Sequence, residues 1–217
     1  MCLAEADSQE SATMKIHLSK QTFYLGEDIL VDIYYPNLRT SVITIPDPET
    51  SFDVEMHFLD INTEEDLNYT MGQSTTTVME NASDQWALNV PVPEEISIAP
   101  NDVYHFTSNA NERLYLNAGK YVVYVTDSES ESARLEVSIV LNKDALTHLS
   151  ALAMNTKENY SRREWAMTHV QTVYPKFILL LPDEGISKAA ASENEKNNQI
   201  QYQSFMKWLE SGQVDIP

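Results

Sequence analysis

Between Met14 and Asn142, apolar residues recur mostly at every second position. That period marks strands that bury one face and wet the other. Met14–Leu18 predicts a first strand, and Thr22–Gly26 leads into Glu27 and Asp28. Ile29, Val31, Ile33 and Tyr35 then alternate with Leu30, Asp32 and Tyr34, until Pro36-Asn37 ends the run. Val42, Ile43 and Ile45 predict a short strand stopped by Pro46 and Pro48. Phe52, Val54, Met56 and Phe58 alternate with Asp53, Glu55 and His57, a strand with a charged outer face. Glu64-Glu65-Asp66 reads as a turn. Asn68–Asp84 holds either an edge strand at Thr75–Met79 or a loose excursion. Trp86–Val90 predicts a further strand. Val103, His105 and Thr107 alternate with Tyr104 and Phe106, and Leu135, Val137, Ile139 and Leu141 with Glu136 and Ser138.

The run Leu116–Val125 is the most legible. Asn117, Ala118 and Gly119 predict a turn that ends one strand and starts another, with Gly119 at the positive φ that a Cβ resists. Tyr121, Val123 and Val125 then share a face. This resembles the tyrosine corner of immunoglobulin-like sandwiches. About seven to nine short strands at such spacing predict two packed sheets.

The period changes after Asn142. Ala145, Leu146, Leu149, Leu152 and Ala153 recur at helical spacing. Ser161-Arg162-Arg163-Glu164 has the form of a capping box, which predicts a helix start at Ser161. Trp165, Val170 and Val173 are candidates for its buried side, and Pro175 stops it. Ser192–Glu195 is a second capping box, ahead of Tyr202, Phe205, Met206 and Leu209 on one face and Gly212 beyond the end. The apolar run Phe177–Leu181 is the expected packing surface toward the strands. The chain is thus expected to be mainly β: an immunoglobulin-like antiparallel β-sandwich over residues 14–142, after a disordered leader at 1–13. A small α-helical C-terminal region at 143–217 packs on or beside the sandwich.

Charge narrows the class of partner. The 217 residues carry a formal net charge of −19. Nearly all of it lies before residue 143, where 24 acids face 6 bases; beyond, 9 face 8. Such a surface repels nucleic acid and anionic lipid and complements a basic protein. Asp47, Glu49, Asp53, Glu55, Glu64, Glu65 and Asp66 are the candidate partner-binding residues. Cys2 is the only cysteine, so no internal disulfide is available. As a residue next to the start, followed by a polar run, Cys2 is also the candidate lipidation site of a bacterial lipoprotein. A lipid anchor there is the expected membrane attachment, since no apolar run reaches spanning length.

Candidate chemistry is sparse. The sequence has no GxSxG, P-loop or GxGxxG. The five histidines, His17, His57, His105, His148 and His169, form no HxxH or HExxH pair, so no metal site is encoded locally. His57 and His105 fall in strands that could bring them together. The loop Asp127-Ser128-Glu129-Ser130-Glu131 offers oxygens to calcium but lacks the glycine and Asp/Asn spacing of a dedicated loop. No catalytic residue, metal or cofactor is expected.

Gly26–Ile33, Phe52-Asp53-Val54 with Phe58-Leu59-Asp60, Ile98–Asp102 with Tyr104 and Phe106, and Asn117–Tyr121 occur in that order. Together they resemble the immunoglobulin-like sandwich of the bacterial intracellular proteinase inhibitor family. The resemblance covers residues 14–142. It departs from the family's pattern in the insertion Asn62–Asp84 and in the helical tail, and it carries over no reactive residue. The expected role is a non-enzymatic protein-binding module of the bacterial cell envelope, periplasmic or at the surface, with a cytoplasmic location if Cys2 is unmodified. The alternatives are an inhibitor or immunity protein that blocks a protease or toxin, and a glycan-binding or hydrolytic protein. The last would need a pocket lined by aromatics such as Trp86 and Tyr104.

Overall fold

A computed structural model describes residues 14–48, 54–71, 95–128, 130–181 and 188–212. The expected leader at 1–13 and the strands expected at Thr75–Met79 and Trp86–Val90 lie outside the described residues. Ten strands and three α-helices form among those described. Among the described residues about 34% are strand and 30% helix, so the structure is mixed rather than mainly β. The Cα framework divides into two compact units whose segments interleave along the chain.

One unit comprises Met1–Ser19, Leu30–Ala110 and Tyr121–Glu136. Its β1 (Lys15–Leu18), β3 (Leu30–Pro36) and β8 (Val103–Asn109) form an antiparallel sheet with β3 in the middle. The register sets Ile16, Ile33 and Phe106 in one row and His17, Asp32 and Thr107 in the next. Side chains alternate across a strand. Val31, Ile33 and Phe106 are therefore buried while His17 and Thr107 stay open. In the same unit β5 (Glu55–Asp60) lies between β6 (Asp66–Thr70) and β9 (Gly119–Thr126), antiparallel to both. Met56, Phe58, Tyr121, Val123 and Val125 are buried there, and Phe58 meets Tyr121 edge-on with ring centroids 6.3 Å apart. The Tyr69 hydroxyl of β6 and the Ser108 hydroxyl of β8 share a hydrogen bond of 2.8 Å. A short pair, β4 (Ile43–Pro46) with β7 (Glu95–Ile98), completes the strands of this unit.

A fully buried Asn37 joins three stretches of backbone. Its Nδ2 donates to the carbonyls of Ser41 (2.9 Å) and Ile98 (2.8 Å), and its Oδ1 accepts from the Arg39 amide (2.9 Å). Its own amide and carbonyl bond to Asp102 and Asn101.

The other unit comprises Lys20–Ile29, Asn111–Lys120 and Val137–Pro217. Here β2 (Thr22–Tyr24) runs parallel to β10 (Leu135–Val140), with Phe23 and Ile139 in register. The chain turns directly after β2 at Gly26, whose φ of +86° lies in the left-handed region. A Cβ there would stand 2.9 Å from Leu149 Cδ2. Gly26→Ala combines left-handed strain, about 1–2 kcal/mol, with displacement of a fully buried Leu149. Urea denaturation should therefore show a loss of roughly 2 kcal/mol.

The expected turn glycine behaves otherwise. Gly119 begins β9 without a positive φ, and residues 113–118 ahead of it are neither helix nor strand. A 3₁₀ turn at Ala110–Glu112 precedes that irregular segment, which Leu116 anchors by its burial rather than by strand pairing.

Helix α1 (Lys143–Met154) buries Ala145, Leu146, Leu149 and Ala153, as the spacing predicts, and Asn142 caps it by accepting from the Ala145 amide. Helix α2 (Tyr160–Val173) starts one residue before the expected cap at Ser161. Asn159 accepts from the Arg162 amide at 2.8 Å and takes the N-cap role first. Its buried stripe is Arg163, Ala166 and Val170; Trp165 is half-buried, stacked on Tyr115. Val173 is half-buried too. Helix α3 (Lys188–Glu210) begins ahead of the second capping box, because Ala189, Ala190 and Ala191 extend it upstream. Phe205 and Leu209 are buried, and Gly212 follows at φ +72°. Phe177 packs on Phe205, with centroids 5.1 Å apart, and Leu180 bonds through both backbone groups to the Asn198 amide of α3. The Phe177–Leu181 run is thus engaged by the third helix. No helix among the described residues is long and apolar enough to cross a membrane.

Candidate functional site

The outward positions of β5, β6 and β9 carry the densest chemistry among the described residues. Period two puts Glu55, His57 and Leu59 on one side of β5. The register places Tyr124 opposite His57, Thr126 opposite Glu55, and Asp66 opposite Leu59. Asp66 and Thr126 are then diagonal neighbours of His57, within reach of an imidazole. Asp66 Oδ2 lies 2.9 Å from His57 Nδ1, and Thr126 Oγ1 lies 3.0 Å from Nε2. Bonding to a carboxylate assigns the proton of a neutral ring to Nδ1, leaving Nε2 to accept from the threonine hydroxyl. Glu55 Oε2 stands 3.6 Å from Nε2 on the same side.

An aromatic stack covers this imidazole. The Tyr124 ring lies parallel to it, with centroids 4.5 Å apart, and Arg134 Cζ sits 4.3 Å from the Tyr124 centroid. Arg134 also bonds Glu131 at 2.8 Å, and that bond holds the Glu131 carboxyl below its ordinary pKa. Burial, then the nearby Asp66 charge, push the Tyr124 phenol up. His57 is consequently only 8% exposed, although strand alternation predicts an open charged face. The ring is covered from above rather than turned inward.

Of the expected partner-binding residues, Glu55 and Asp66 meet at His57. Glu64 and Glu65 are exposed in the turn before Asp66, with Glu64 at φ 60°. Asp66 itself opens β6 instead of closing the turn. Asp47 is half-buried beyond the end of β4. Glu49, Asp53 and the candidate lipidation residue Cys2 lie outside the described residues, as does Trp86. Sequence reasoning missed Thr126, Tyr124 and Arg134, because only the strand register brings them to His57.

The expected meeting of His57 with His105 does not occur in either network. His105 and His17 instead converge on Asp32, at 3.2 and 3.6 Å, and Thr107 donates to the same carboxylate at 2.7 Å. These are the cross-strand rows of β1, β3 and β8. The Thr107 bond, aided by the bonds from His105 and His17, holds Asp32 below the ordinary carboxylate value against the opposing effect of burial. A carboxyl lowered in the folded state contributes stability above the unfolded pKa, about 3.9. That contribution is lost as pH falls through the lowered value. Thr107→Val should therefore destabilise at pH 6 and converge with the parent well below pH ~3.9, the ordinary aspartate value, read by urea melts across that range.

The acidic loop serves itself. Asp127 Oδ1 accepts from the Ser130 amide (2.6 Å) and hydroxyl (3.0 Å). No group of three or more His, Cys, Asp or Glu is placed to hold a metal ion among the described residues. A cavity of about 170 Å³ lies beside Tyr35, Thr44, Val54 and Asp127. The buried Tyr35 hydroxyl has no hydrogen-bond partner among the described residues, and burial raises its pKa far above the usual phenol value.

No family model and no curated protein matches the chain. Solved structures match it in part. A Pseudomonas fluorescens alkylpurine DNA glycosylase, AlkC, bound to DNA containing an abasic site analog, aligns with 11% identity and a TM-score of 0.38. The match covers 60% of this chain and 31% of that one. A β-glucosidase from Listeria innocua aligns over 58% of this chain and 16% of its own, at 13% identity and a TM-score of 0.35. The CARDB domain of a Pyrococcus furiosus protein, in complex with di-metal ions, is covered to 86% by 59% of this chain. Its identity is 12% and its TM-score 0.32. The chain thus spans about a third or less of the first two proteins, and at these scores the likenesses assign neither family nor activity.

Proposed function

We propose that the chain is a non-enzymatic protein-binding module whose acidic β5–β6–β9 face receives a basic protein. The observation that carries this reading is the grouping of Glu55, Asp66 and Glu131 around His57, with Glu64 and Glu65 in the adjoining turn. Arg134 is the one cation bonded into that network among the described residues, and Glu131 already engages it. Complementary charge of this kind raises association rates and screens with salt.

An immunoglobulin-like sandwich is the framework proposed for this face. Two antiparallel arrays with alternating burial support it, as does the Tyr69–Ser108 bond from β6 to β8. The proposed compartment is the bacterial cell envelope, with Cys2 as the lipid-bearing residue.

The test is capture of a partner from the organism's own envelope extract, with affinity then measured against salt. Binding should weaken steeply between roughly 50 and roughly 500 mM salt. It should also drop at least about tenfold on joint Glu64→Lys and Glu65→Lys substitution. Salt-independent binding that survives both changes would remove the acidic face from the account.

A further inference from the structure

The helical unit contains a second candidate site, unrelated to the acidic face. A cavity of about 600 Å³ opens among α2, α3 and the segments beside them, lined in part by Met154, Thr156, Arg163, Leu180, Glu195 and Gln199. That volume lies in the range of small-molecule pockets. Arg163 is its unusual member, at only 4% exposed. Its Nε donates to the Ala153 carbonyl at 3.0 Å, closing the last turn of α1. No carboxylate among the described residues pairs with it. The contrast with Arg162 is direct, since that residue reaches both Asp28 and Glu158.

A guanidinium carries five N–H donors in a planar fork, and one is used by Ala153. Buried cations ordinarily pair with an acid, because taking an unpaired charge out of water is costly even after the surroundings relax. Burial accordingly pulls the Arg163 pKa down, with no acid among the described residues opposing the shift. An oxyanion entering the cavity supplies the missing charge and can accept from both Nη groups at once. We infer that this cavity binds a small organic oxyanion, a carboxylate or phosphate ester, seated on Arg163 with its apolar part against Met154 and Leu180. Glu195, an exposed carboxylate on the same wall, opposes that binding and tunes its strength.

Isothermal titration calorimetry on the full chain tests this, with sodium phosphate and sodium succinate as separate probes at constant ionic strength. Saturable one-site binding is expected in at least one arm, and the stronger arm identifies the headgroup. Arg163→Gln should weaken it about ten- to a hundredfold, the worth of a charge-assisted bond. Glu195→Gln changes an exposed side chain and keeps the fold readable if Arg163→Gln does not fold; it should tighten binding severalfold. Glu64→Lys with Glu65→Lys should leave the affinity unchanged, which separates this site from the acidic face. The inference is overturned if neither probe saturates, if Glu195→Gln has no effect, or if a folded Arg163→Gln binds as the parent does.

Discussion

Asn37→Asp should destabilise the chain by about 3 kcal/mol or more, and more as the pH rises. The change is nearly isosteric, so packing is preserved and the hydrogen bonds alone are tested. Asn37 Nδ2 serves two carbonyls, Ser41 and Ile98, and the residue is fully buried. A carboxylate oxygen in that position has no proton to give and faces two acceptors. Each buried group left without a partner costs about 1–3 kcal/mol, and an ionised oxygen costs more. The protonated form of the introduced carboxyl can still donate once, so the deficit shrinks on acidification. Urea titrations at pH 4 and pH 8 check this; a negligible loss at both would show that the amide's donors are dispensable. The loss is a large share of the roughly 5–15 kcal/mol that holds an ordinary domain.

Phe58→Ala should cost about 3–5 kcal/mol, the range for truncating a buried aromatic. Phe58 is fully buried at the centre of β5, in register with Leu67 on β6 and Val123 on β9. Its edge-on contact with Tyr121 is lost as well, which adds to the cavity term. The companion substitution Leu59→Ala, at a half-buried position of the same strand, should cost far less. Thermal and urea melts of the two variants form the test. Comparable losses would mean that β5 does not have the assigned inner face.

Strands with strict alternation were readable because burial repeats every second residue. Val31, Ile33 and Tyr35, and likewise Tyr121, Val123 and Val125, are buried as their spacing requires. Strand β6 was not readable, because Asp66-Leu67-Asn68-Tyr69-Thr70 offers two weakly apolar positions and begins with an acid. Strand β7 spans four residues close to Pro93 and Pro100, too short for a period to emerge. Helix starts moved because Asn159 outcompeted a good capping box and because alanines extend α3 past another. The acids of the candidate site were visible as composition, but Asp66 reaches His57 through a hairpin whose second strand was not readable, and Tyr124, Thr126 and Glu131 through the register of β5 with the distant β9. No local pattern encodes that register.

Among the described residues, β6 pairs on one side alone, with β5. The margins of sheets are where extended chains from separate molecules zip together into fibrils. Asp66 at its start and Glu64 and Glu65 just before it bring like charges face to face when two molecules approach along that margin. Neutralising those acids would therefore cost colloidal stability at high concentration.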